Sequence, residues 1–302
     1  DGNTVVSDWC GYKESPCTIA SYSFETNKVH LYRNTSHRDW NTPRFSSDGR
    51  HLAFSIAVPE SDDRQIAVID ADGSGFREVT KGRGYRSTPA FSNDGNKLTY
   101  QCAEGLTERY WTPYKGNVRR LKNRNICVFD LLTKRERKII SFYVYSYSNP
   151  LFMPDGKHVL FYFQGKKFGK SIAQNIENLQ SKSILNEMPL AHSPRISRDG
   201  KRIVFSARTN EMDGANGNFN YDLFLWEGSS DILKSKGKIR RLTKAESYLT
   251  GFALSADGRK VAYAFDKERN GDTEFFLMDI DSGKIRKFSI PDRPAGLIGP
   301  KS

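Results

Sequence analysis

The 302 residues contain no apolar run of roughly 18, so no membrane-spanning helix is expected. They contain no Gly-x-Ser-x-Gly elbow, which removes the strained-turn nucleophile of the serine hydrolases. No Cys-x-x-Cys occurs and the five histidines are scattered, so no metal ligand set stands out. Acidic residues are the scarcer charge: 35 Asp and Glu face 47 Lys and Arg, a net charge of +12. No signal-peptide pattern opens the sequence, and its abrupt start inside a hairpin reads as a processed or trimmed chain. Clear alternation and 12% aromatic residues argue against disorder.

What is abundant is a repeat. Asp-Gly pairs stand at Asp1, Asp48, Asp94, Asp155, Asp199 and Asp257, spaced by 47, 46, 61, 44 and 58 residues. Around them recur PRFSSDGRHLAF, PAFSNDGNKLTY, PLFMPDGKHVLF, PRISRDGKRIVF and FALSADGRKVAY, while the first copy, DGNTVV, enters midway. Each copy is strand, tight turn, strand with alternating apolar positions, which is a hairpin. Segments such as QIAVIDADGSGFREVT and EFFLMDIDSGKIRKFSI supply two further strands per unit. Periods of roughly 40 to 50 residues match propeller blades. The expectation is an all-β, single-domain, six-bladed β-propeller over 1–302 with four-stranded antiparallel blades. Radial closure leaves few unpaired edges. The first unit lacks its inner strand, so the tail 291–302 or upstream residues must close the ring. Pro294, Gly296, Gly299 and Pro300 make that tail a poor strand.

These copies resemble the TolB-type propeller repeat, whose consensus approximates PxFSPDGKxIAF followed by IYVMDxDG and KxLT strands. The resemblance covers essentially the whole chain and is specific for fold. It implies a propeller of the kind found in the periplasmic Tol system, in prolyl-oligopeptidase-like gates and in some polysaccharide lyases. No α/β domain precedes the ring in this sequence, so a role inside the Tol complex itself is not expected.

Cys10 and Cys17 flank one interstrand connection, and Cys102 and Cys127 another. Adjacent antiparallel strands bring such positions within bridging distance, so Cys10–Cys17 and Cys102–Cys127 are expected disulfides. Two bridges point to an oxidising compartment, periplasmic or secreted.

The long insertions share one face of the ring, and the binding surface is expected there. Residues 103–125 interleave Tyr110, Trp111 and Tyr114 with Arg119, Arg120 and Arg124, a mixture that can stack on rings and pair with carboxylates. Their alternative role is to anchor a long loop. Counting back from each repeat proline places Trp40, Arg86 and Tyr147, with His192 and Tyr248 near the same offset, around the channel mouth, where they bind a ligand or plug the pore. The loops 209–222 and 266–274 are oxygen-rich enough for calcium, but Asn-Gly turns explain both more simply. No cofactor is expected.

The positive charge favours an acidic glycan or an acidic protein partner of the cell envelope, and no motif for reading nucleic acid is present. The expected function is therefore a non-enzymatic envelope propeller holding a protein segment or acidic glycan. The alternative is a lyase or glycosidase acting on acidic sugars, which would need paired carboxylates near the channel.

Overall fold

The computed structural model describes residues 2–290 apart from 10–15, 33–37, 107–109, 113–115, 119–120, 141–145, 165–168, 187, 189–190, 213–218, 235, 246–247 and 267–272. The described residues form strands and turns without helix, arranged as a six-bladed propeller. Blade one contains Thr4–Trp9, Thr18–Ser23 and Lys28–Tyr32; blade two contains Trp40–Phe45, His51–Ala57, Arg64–Asp70 and Arg77–Glu78. Blade three is Tyr85–Phe91, Lys97–Ala103, Asn125–Asp130 and Arg135–Lys138; blade four is Ser146–Phe152, His158–Gln164, Gly169–Asn175 and Ser181–Ile184. Blade five is His192–Ile196, Arg202–Met212, Phe219–Glu227 and Lys238–Arg241; blade six is Tyr248–Leu254, Lys260–Asp266, Thr273–Asp279 and Ile285–Phe288. Within each blade neighbouring strands run antiparallel, and one parallel bridge, Arg64 to Tyr85, links blades two and three.

The Asp-Gly hairpins form because the aspartate organises its own turn. Ser46 Oγ donates to Asp48 Oδ1 at 2.6 Å, and the Arg50 amide reaches the same oxygen at 3.0 Å. Gly49 takes φ 75°, left-handed space that a side chain occupies only with strain. Ser92–Asp94, Ser197–Asp199 and Ser255–Asp257 repeat the serine bond. Such donors hold the Asp48 and Asp94 carboxyls below their usual range, the serine hydroxyl first.

The core sits in the seams between blades. Ile19 and Tyr32 of blade one meet Trp40, Phe54 and Ile69 of blade two. Ile66 and Val68 meet Leu98 and Tyr100 at the next seam, and Val128 meets Val159 and Phe161 at the one after. Leu160 packs with Phe205, and Leu225 with Val261. Each such side chain contributes about 1.5–3 kcal/mol when buried, so each seam is a small core of its own. The ring closes where Phe288 of blade six stacks on Tyr22 of blade one at 5.4 Å and meets Phe24 edge-on at 5.0 Å.

Blade one shows three strands among the described residues, and Thr4–Trp9 pairs there with Thr18–Ser23 alone. The tail 291–302, expected to close the ring, lies outside the described residues.

Candidate functional site

The inner strands decide what reaches the central channel. Each carries a β-bulge just before the repeat proline position: the register shifts between Asn41 and Arg44, Ser87 and Ala90, Ser148 and Leu151, His192 and Arg195, and Leu249 and Gly251. Thr42, Thr88 and Ser193, each preceding its proline, take φ 54°, 53° and 49°, a region unusual for residues with a side chain. A bulge re-aims the strand that carries it. Residues upstream of it then turn into the blade seams, while those after the proline line the cavity.

This corrects the expected channel-mouth ring. Trp40 is buried, stacked on Phe76 at 5.6 Å and packed against Phe54, so it belongs to the seam between blades one and two. Arg86 bridges blades two and three. Its Nε donates to Glu136 Oε2 at 2.9 Å and its Nη1 to Gln65 Oε1 at 3.2 Å, while Tyr100 donates to the same Glu136 oxygen at 2.6 Å. His192 lies 4.0 Å from the Tyr162 ring and 5.5 Å from that of Tyr221, and burial pushes its pKa down to about 4. Tyr248 remains exposed at 44% and has its own partner within the protein. Tyr147 lies in the inner strand of blade four, where the backbone alone is described. Trp40, Arg86 and His192 thus pack into seams between blades, because the bulge exchanges the faces of the strand.

The long insertion of blade three is an arm of paired strands. Gly105–Leu106 pairs with Leu121–Lys122, and Tyr110–Thr112 with Gly116–Val118. The side chains of Tyr110 and Trp111, and the residues Tyr114, Arg119 and Arg120, lie outside what the structure describes. Arg124 is half-buried and partnered within the protein. A disulfide between Cys102 and Cys127, Cα–Cα 5.9 Å, joins adjacent strands at the base of this arm. Cys17 is also disulfide-bonded; Cys10, its expected partner, is outside the described residues.

A cavity lies elsewhere. It measures about 1050 Å³, occupies the axis toward the Asp-Gly turns and spreads over the face of blade one. Its wall takes the residue following each repeat proline position: Arg44, Ala90, Leu151, Arg195 and Ala253. Lys28, Arg50 and Arg198 also line it, and Asp48 is the one carboxylate among the described lining residues. Beyond it the turns brace one another: Ser47 Oγ donates to Asn93 O at 2.8 Å, and the Arg198 amide to Ala256 O at 2.8 Å. Burial holds the Arg44 guanidinium down to about 10, and burial with the nearby Arg44 charge depresses Arg195 further. Sequence reasoning passed over both arginines. The signal was available in the column after the repeat proline, where two arginines interrupt small and aliphatic residues.

Among the described residues no group of three or more His, Cys, Asp and Glu side chains could hold a metal ion. The centres of both loops considered for calcium, 213–218 and 267–272, fall outside the described residues. No described helix is long and apolar enough to cross a membrane.

No family model matches the chain. Among curated proteins it is similar to the Tol-Pal system protein TolB of Francisella tularensis subsp. mediasiatica, 22% identical over 297 residues that cover 93% of this chain. The chain spans 57% of that relative's length. The crystal structure of TolB from Acinetobacter baumannii superposes with TM-score 0.69 at 16% identity, covering 94% of this chain and 62% of that one. A putative TolB from Agrobacterium tumefaciens gives 0.61 at 14% identity, covering 94% of this chain and 88% of that one. By its repeat and by its fold, this chain is a β-propeller similar to those of TolB proteins.

Proposed function

We propose that this propeller is a non-enzymatic binding module of the bacterial cell envelope, periplasmic in location, that holds an acidic segment of a protein partner. One observation carries the reading: the large axial cavity is lined by Lys28, Arg44, Arg50, Arg195 and Arg198 with one aspartate among them. Such a wall attracts anions and concentrates its field in a low-dielectric enclosure. The similarity to Tol-Pal system proteins and the disulfides support an envelope setting. The single cavity aspartate is engaged in its own turn, so a mechanism needing two opposed carboxyl groups finds no pair at the described wall. The binding surface of this reading is the cavity at the Asp-Gly end, in place of the insertion face expected from sequence.

The test is titration of the purified protein with a glutamate-rich peptide and with trigalacturonate, following heat and ultraviolet absorbance together. The peptide binds, its affinity falls steeply with salt, and no unsaturated uronate appears. Unsaturated product would replace this reading with a lyase.

A further inference from the structure

We propose that Arg44 and Arg195 form a clamp for the carboxylates of an extended acidic peptide inside the axial cavity. This deepens the binding reading above and rests on it. The two residues occupy the same repeat position in blades two and five, on opposite sides of a six-membered ring. The Arg44 side chain makes no hydrogen bond or ion pair to any described residue, and Arg195 has no carboxylate partner among them. Arg195 is nonetheless fixed: its Nη1 donates to Ser193 O at 2.9 Å and Pro194 O at 3.0 Å, and its guanidinium lies 5.2 Å from the Phe252 ring centre. One face of each planar fork is left for a ligand. A guanidinium matches a carboxylate with two parallel hydrogen bonds, and enclosure strengthens the pairing. Two enclosed cations without counter-charge repel, so an anion between them relieves a cost the empty ring carries. The wall beside the clamp is mixed, with Val5, Val6, Leu151 and Phe252 among hydroxyls such as those of Thr4 and Ser197. Such a wall suits an extended peptide, whose apolar side chains pack on the first group while its backbone meets the hydroxyls.

Isothermal titration with triglutamate and with inorganic phosphate compares the wild type with the Arg44→Gln/Arg195→Gln double variant. Lys284→Gln, an exposed cation outside the cavity wall, is the control. The expected result is at least tenfold weaker binding of both probes by the double variant, unchanged binding by the control, and no loss of melting temperature. Equal affinity in wild type and double variant overturns the clamp while leaving the binding reading intact. Failure of the wild type to bind either probe overturns both. Tighter binding of trigalacturonate than triglutamate overturns the peptide class.

Discussion

Arg86 and the pair Arg44 and Arg195 are arginines of the same inner strands, yet the protein treats them in opposite ways. Arg86, upstream of the bulge, has its charge met by Glu136 and its fork shared with Gln65 and the Arg83 carbonyl. Burial disfavours its charged form, but the Glu136 hydrogen bond and charge outweigh that and leave its pKa raised. Arg44 and Arg195, downstream of the bulge, meet no carboxylate and are depressed by the same burial. A cation satisfied within the fold holds blades together; under the proposed function, a cation enclosed without a carboxylate among the described residues is open to a ligand.

The largest effect that would break this contrast is at the seam. Arg86→Ala strands Glu136, Gln65 and the Tyr100 hydroxyl, and is expected to cost about 3 kcal/mol in urea denaturation. A loss below about 0.5 kcal/mol would mean that Arg86 is not a structural clamp. Replacing Cys102 and Cys127 by alanine opens a loop spanning 25 residues and is expected to cost about 2–3 kcal/mol by the same measurement.

His192 sharpens the comparison through pH. Its folded pKa of about 4 lies below the unfolded value near 6.5, so the unfolded state binds more protons between those values. Stability contributed by the neutral ring is full above pH 6.5 and is lost as pH falls toward 4, by at most about 3 kcal/mol. The difference in stability between wild type and His192→Gln, followed from pH 7.5 to 4, should shrink by that amount; a constant difference would show that the ring is not held neutral. The smallest effect belongs to the channel. Arg44→Gln and Arg195→Gln should each change stability by no more than about 0.5 kcal/mol, with the sign toward stabilisation, because neither removes a charge pair.

Much of the architecture was legible in the residues. Six Asp-Gly copies announced six blades because an aspartate-organised turn recurs from blade to blade, serine-bonded in four of them and held by the Lys157 and His158 amides at Asp155. Even the polar SIAQNIENLQSKSIL forms the expected strands Gly169–Asn175 and Ser181–Ile184. The Cys102–Cys127 bridge was legible because both residues end adjacent antiparallel strands. The site was not. Counting offsets from the proline assumes an uninterrupted pleat, and a single inserted residue exchanges the faces of everything beyond it. Trp40 and Arg86 were therefore placed at a channel mouth when they fill seams, and Arg44 and Arg195 were passed over. The 103–125 arm read as a loop because its short strands lack apolar alternation.

The most direct measurement is hydrogen exchange of the whole chain with and without a saturating glutamate-rich peptide. The account predicts protection at Pro43–Phe45 and Pro194–Ile196 around the axial cavity, with the 103–125 arm unchanged. Protection confined to that arm, with the two proline segments exchanging as in the free protein, would contradict it.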